Sequence, residues 1–253
     1  MILSMLLLSC SLWNALVSPQ DDGSYPSGYE FPPNSHDSAI VSLLLQTNKI
    51  QASVRSVAFA DDEMGIVSSI RISGNSIGYP DSIDTFFVPQ EICHLRMLSQ
   101  LFLDNLKFKV LSIPATFDTF SNVFDLSLRG NYLSGIPENL SFFPQLSFLY
   151  LDYNRLNVLN SININPTELY LLSLTSNSLS RIPSDIDSLT RLVHLYLSNN
   201  NIDSLPIEIM HLPILHTFQV RNNLLCSVSD SMSRFIFSFD STWKSSQRCS
   251  GTP

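Results

Sequence analysis

Leu146-Ser-Phe-Leu149-Tyr-Leu151-Asp-Tyr-Asn154-Arg-Leu156 is the stretch that decides the fold. It reads as an apolar residue, two variable residues, Leu-x-Leu, two variable residues, then Asn, x and Leu. The pattern recurs downstream as Leu169-Tyr-Leu-Leu172-Ser-Leu174-Thr-Ser-Asn177-Ser-Leu179, Leu192-Val-His-Leu195-Tyr-Leu197-Ser-Asn-Asn200-Asn-Ile202 and Leu215-His-Thr-Phe218-Gln-Val220-Arg-Asn-Asn223-Leu-Leu225. Upstream stand Val123-Phe-Asp-Leu126-Ser-Leu128-Arg-Gly-Asn131-Tyr-Leu133, Leu98-Ser-Gln-Leu101-Phe-Leu103-Asp-Asn-Leu106 and Val67-Ser-Ser-Ile70-Arg-Ile72-Ser-Gly-Asn75-Ser-Ile77. The fourth position falls at 126, 149, 172, 195 and 218, four equal steps of 23. The earlier steps are longer, 31 from Ile70 to Leu101 and 25 from Leu101 to Leu126, and an insertion at Gly78–Phe86 accounts for the first.

Leu-x-Leu alternation predicts a short strand with its Leu side chains inward. One unit cannot bury that face alone. Stacked units bury it against each other, which lines the strands into a parallel sheet on the concave side of an α/β repeat solenoid. The Asn column (Asn75, Asn131, Asn154, Asn177, Asn200 and Asn223) turns the chain away from each strand. Its amides are expected to bond backbone groups of their own and the adjoining unit. Leu106 breaks the column, so the second turn should be irregular. Val88-Pro89, Ile136-Pro137, Ile182-Pro183 and Leu205-Pro206 start the convex segments, where Pro fixes φ and needs no donor.

Over residues 67–225 this pattern resembles the leucine-rich repeat signature. The resemblance implies a horseshoe of about seven repeats and says almost nothing about function. A stack exposes its core at both ends and needs caps. At 37–66, Asp37 or Ser38 should cap a short helix with Ala39, Ile40, Leu43 and Leu44 as its apolar stripe; Val54, Val57 and Phe59 alternate as a strand would. At 226–253, a helix from about Ser229 or Asp230 should lie over the last repeat, pinned by a Cys226–Cys249 disulfide. The caps resemble those of secreted or surface-anchored bacterial leucine-rich repeat proteins, with Trp243, Gln247 and Cys249 matching the closing segment.

Residues 1–18 carry no charged side chain and read as a secretory signal peptide or an uncleaved anchor helix. Leu7-Leu8-Ser9-Cys10 also resembles a bacterial lipobox, which would lipidate Cys10. Residues 19–36, rich in Pro, Gly, Ser and Asp, read as a disordered linker. These features point to a secreted or cell-surface protein that meets a membrane only through that anchor or lipid.

Only 14% of the 253 residues are charged, 44% are hydrophobic, and the net charge is −8. A nucleic-acid partner is therefore not expected, because phosphate binding needs clustered Lys and Arg. His36, His94, His194, His211 and His216 make no zinc-ligand spacing, and no phosphate-binding loop, nucleophile elbow or dinucleotide fingerprint occurs. Cys93 beside His94 does not make a dyad, and Cys93 is expected to pack near the convex side. Asn139-Leu140-Ser141 is a glycosylation triplet that carries weight only in a eukaryotic secretory pathway. Tyr79, Asp81 and Asp84 in the inserted loop at 78–87 lack a catalytic partner. No enzyme, cofactor or metal is expected.

Three columns point to solvent on the concave side. The central one is Arg71, Phe102, Ser127, Tyr150, Ser173, Tyr196 and Gln219; Ser69, Gln100, Asp125, Phe148, Leu171, His194 and Thr217 precede it. Ser73, Asp104, Arg129, Asp152, Thr175, Ser198 and Arg221 follow it, with Asp104, Arg129 and Asp152 read as an exposed ion-pair ladder. Seven strands about 4.8 Å apart span roughly 29 Å, a size that suits a protein or glycan ligand. Phe102, Phe148, Tyr150, Tyr153, His194 and Tyr196, with Leu171, gather in the middle repeats and are the candidate binding residues. Strand propensity for Tyr is the structural alternative. The expected function is a monomeric, extracellular, non-enzymatic recognition module; the alternative is an intracellular scaffold or regulatory adaptor.

Overall fold

The computed structural model describes residues 36–61, 66–75, 84–113, 120, 122–159 and 168–249. The leader or anchor at 1–18, Cys10, the linker before His36 and most of the inserted loop lie outside the described residues.

One sheet of eight strands organises the chain. Its strands are β1 (Ala58–Asp61), β2 (Ile66–Ser73), β4 (Gln100–Asp104), β6 (Asp125–Ser127), β7 (Phe148–Tyr150), β8 (Leu171–Ser173), β9 (His194–Tyr196) and β10 (Thr217–Gln219). All neighbours from β2 to β10 pair in parallel; β1 alone is antiparallel, against β2. A second, two-stranded parallel sheet joins β3 (Thr85–Phe87) to β5 (Val110–Ser112). Parallel neighbours with one strand per unit make this an α/β repeat fold. The inward Leu pairs, such as Leu126 with Leu128 and Leu149 with Leu151, are buried in one continuous core.

Four 3-10 turns follow a proline: Gln90–His94, Glu138–Phe142, Ser184–Ser188 and Ile207–His211. Pro89, Pro137, Pro183 and Pro206 stand at their first caps with φ between −56° and −71°, the range the ring imposes. Cys93 falls in the first of these turns, and its side chain lies outside the described residues.

The Asn column is a ladder of amides. Asn154 Nδ2 donates to the Leu128 and Leu151 carbonyls at 2.9 and 3.1 Å, while its Oδ1 accepts from the Leu133 amide at 3.1 Å. Asn177, Asn200 and Asn223 repeat this pattern one unit at a time. Each amide thus satisfies backbone groups of two units, groups that are costly to bury unpaired. Asn75 is exposed at the margin of the described residues.

The second turn is irregular. Asn131 Oδ1 accepts from Leu106 itself at 3.0 Å, and Leu106 is fully buried in the core. Asn105 takes a left-handed φ of 56° and lies between two glycines of neighbouring units. A Cβ on Gly74 would stand 2.0 Å from the Asn105 carbonyl oxygen, and one on Gly130 the same distance from its Oδ1.

Helix α1 (His36–Thr47) buries Ile40, Val41, Leu44 and Leu45. The sequence stripe was out of phase: Ala39 is exposed and Leu43 only half-buried, because an almost continuous apolar run leaves the helix phase undetermined. Asp37 does not cap its own helix here; its carboxylate accepts from the Val67 amide at 2.8 Å and ties the helix to β2. Val54–Val57 is a helical turn, α2, rather than part of a strand, since Ser53 Oγ accepts from the Ser56 amide. Asn48 clamps Phe87 through both backbone groups, at 2.7 and 2.8 Å.

At the other end, α3 (Asp230–Phe239) starts on an N-capping Ser229. Phe235 and Phe239 each put their rings 5.8 Å from Phe218 of the last strand. Cys226 and Cys249 form a disulfide with their Cα atoms 5.6 Å apart.

Candidate ligand-binding face

Strand register places the candidate residues. Arg71, Phe102, Ser127, Tyr150, Ser173, Tyr196 and Gln219 are successive partners across the sheet. So are Ser69, Gln100, Asp125, Phe148, Leu171, His194 and Thr217. In the central column large residues alternate with small ones. Phe102, Tyr150 and Tyr196 are half-buried, and the intervening Ser127 and Ser173 are buried. The two buried serines donate their hydroxyls to Asp104 and Asp152 in the adjoining column.

Phe148, His194 and Tyr196 belong to a longer row of rings. Phe124 meets Phe148 at 6.3 Å, Phe148 meets Tyr170 at 5.7 Å, Tyr170 meets His194 at 5.2 Å, and His194 stacks with Tyr196 at 6.4 Å. The row zigzags between the column that precedes the central one and the position just ahead of each strand. Phe124 and Tyr170 are 39% and 40% exposed, yet sequence reasoning passed over them. The signal was available, since both occupy the second position of their repeat. Tyr153, 66% exposed, sits in the turn after β7 rather than on the strand, and holds a left-handed φ of 56°. Phe102 stands apart from the row, under the Arg71 guanidinium at 4.9 Å.

The charged column is not the exposed ladder that the sequence suggests. Asp152 is buried, and its Oδ1 accepts from the Ser173 hydroxyl and, at 2.9 Å, from the Thr175 amide. Asp104 Oδ1 accepts from the Ser127 hydroxyl at 2.6 Å and the Arg129 amide at 2.9 Å. Ser198 Oγ accepts from the Arg221 amide at 3.2 Å in the same way. These side chains act as sheet acceptors for the next unit. Arg129 Nε donates to Asp152 Oδ2 at 2.8 Å, and its guanidinium lies 4.0 Å over the Tyr150 ring. Burial raises the Asp104 carboxyl and the Tyr150 phenol above their usual values.

Asp125 is the exception. Its Oδ2 accepts from Gln100 Nε2 at 3.3 Å, while its Oδ1 is covered and has no hydrogen-bond partner. Burial pushes its carboxyl up to about 6, against the pull of Arg71, Arg129 and the Gln100 bond and with the help of Asp104.

An α/β repeat with an aromatic row across its parallel sheet is the class of protein that fold and face define. No family model matches the chain, and no curated protein matches it. Among solved structures, the chain is similar to the crystal structure of PEPR1-AtPEP1, with 26% identity and a TM-score of 0.48. That similarity covers 74% of this chain and 31% of the other, so this chain spans about a third of its length.

Proposed function

We propose that this chain is a non-enzymatic, extracellular leucine-rich repeat module that captures a protein or glycan on the concave face of its sheet. The row Phe124–Phe148–Tyr170–His194–Tyr196 carries this reading. Contiguous, partly exposed rings near the centre of a surface supply most of the energy in a typical interface. Elsewhere on that face, the polar side chains of Asp104, Ser127, Asp152 and Ser173 are occupied with each other and with backbone groups. The Cys226–Cys249 disulfide supports an oxidising compartment, and the apolar leader read from residues 1–18 supports the same location. The intracellular adaptor reading requires both thiols to be reduced.

Cross-linking on the native surface, followed by pull-down, identifies the partner. Capture by the Tyr150→Ala, Tyr196→Ala double variant should then fall by about 2 kcal/mol with the fold intact. Equal capture by that variant and by Phe148→Ala, Tyr170→Ala moves the site off the concave face.

A further inference from the structure

We infer that the concave face takes an extended peptide segment carrying a cationic side chain three or four residues from an aromatic one, the cation at Asp125 and the ring on the row that starts beside it. This rests on the proposed binding face and names its ligand chemistry.

Asp125 and Phe148 are cross-strand partners, and Phe124 is the residue before Asp125. The acidic position therefore adjoins the first two rings. The guanidiniums near it are engaged: Arg71 donates to Gln100 Oε1 at 3.0 Å and to Ser69 Oγ at 3.3 Å, and Arg129 is held by Asp152. In this half of the face Asp104, Asp125 and Asp152 stand against Arg71 and Arg129, which leaves one negative charge in excess. Asp104 Oδ1 and Asp152 Oδ1 are taken by hydroxyl and amide donors, and Asp152 Oδ2 by Arg129. Among the described residues, Asp125 alone has a buried side-chain oxygen without a hydrogen-bond partner, and its other oxygen holds only the 3.3 Å bond from Gln100. An arginine or lysine of a ligand supplies this half-buried carboxylate with a charged donor and the face with the missing charge.

The spacing follows from the sheet. From Asp125 on β6 to Leu171 on β8 or His194 on β9 is two or three strand steps, roughly 10 to 14 Å. An extended peptide advances about 3.3 Å per residue, so three to four residues cover it. Tyr170 and His194 then flank the arriving ring at the far end of the row. A neutral glycan offers no counter-charge, and an acidic one is repelled.

The test is selection from a library of linear dodecapeptides displayed on phage, against the full chain. Enriched sequences should place Arg or Lys three or four residues from Trp, Tyr or Phe. For a synthetic copy of the top sequence, changing its Arg to citrulline or the protein's Asp125→Asn should each weaken binding at least tenfold. The two changes together should cost no more than one alone. Peptides that lose binding with Tyr150→Ala, Tyr196→Ala but not with Asp125→Asn overturn this inference and leave the concave face standing. No enrichment, or binding only to immobilised oligosaccharides, overturns it as well. Enriched peptides indifferent to every concave-face variant overturn both readings.

Discussion

Gln247 continues the Asn ladder past the last repeat: its Nε2 donates to the Val220 carbonyl at 3.1 Å, and its Oε1 accepts from the Leu225 amide at 3.3 Å. In the repeat before, Asn223 bonds the Leu197 carbonyl and the Ile202 amide in the same way. A side chain from outside the repeats thus takes the place that the Asn of an eighth repeat would hold. The closing segment therefore satisfies the open end as well as covering it.

Gln247→Ala should leave the Leu225 amide and the Val220 carbonyl without their side-chain partner, at a cost of about 1 kcal/mol. Hydrogen exchange at Leu225 should speed up while exchange at Leu126 stays unchanged, because each unit touches only its neighbours. Unchanged protection at Leu225 would mean that the ladder ends at Asn223.

Cys226→Ser should act at the same end on a larger scale. Closing a loop of this size stabilises by roughly 3 kcal/mol in the chain-entropy model. The loss should show as faster exchange near Phe218 and Val220, far more than near Leu126. Non-reducing peptide mapping of natively expressed protein checks the bond directly, and free thiols at both positions would favour the intracellular adaptor.

Asn177→Ala removes the donor to Leu151 and Leu174 and the acceptor for the Leu156 amide. It should cost about 1–3 kcal/mol, and Asn75→Ala, at an exposed position, should cost less. Thermal melts of both variants measure the contrast; a wild-type melting temperature for Asn177→Ala would contradict the ladder.

Fold was legible because a 23-residue period repeats the same physics, and the strand register follows from it without further information. The face was legible only by column. Sequence puts Phe102, Tyr150 and Tyr196 in one column, but does not show that the intervening Ser127 and Ser173 are buried. It marks Asp152 as charged, but its role as a buried acceptor for the Thr175 amide depends on how closely adjacent turns approach. Phe124 and Tyr170 are not legible in this way, because the position ahead of the strand lies outside the Leu-x-Leu alternation. The phase of α1 is not fixed by the sequence, because a run of apolar residues satisfies several helical stripes equally.

Tyr153 holds the left-handed conformation that Asn105, Gly130, Ser176, Asn199 and Asn222 adopt in the other turns. Gly and Asn tolerate that region; a large aromatic side chain pays roughly 1–2 kcal/mol for it. Tyr153→Asn should therefore stabilise the chain by about 1 kcal/mol, read as a melting temperature a few degrees higher. If Tyr153 also touches the ligand, the same variant binds more weakly, which would mark the strain as kept for function. A lower melting temperature would show that the ring packs more favourably than its exposure implies.

Asp125 gives the stability a pH dependence of unusual sign for a carboxylate. Unfolded, the group titrates near 3.8; folded, near about 6. Between those values the folded chain holds the extra proton, so this group adds stability as pH falls from 7 toward 4. It withdraws that stability as pH rises through 6. Solvent screening of a half-buried side chain limits the effect to roughly 1 kcal/mol. Asp240 acts in the opposite sense, since its hydrogen bond to Arg221 holds its carboxyl below the usual range and its contribution disappears only in stronger acid. Urea unfolding at pH 7.5 and pH 5 separates the two. Wild-type chain should gain stability at pH 5 relative to Asp125→Asn, and the variant should be the more stable at pH 7.5. Parallel pH profiles would remove the buried carboxylate from the account. A gain at pH 7.5 means that the folded chain carries an unpaired charge at a cost, and a cationic ligand at that position would relieve it.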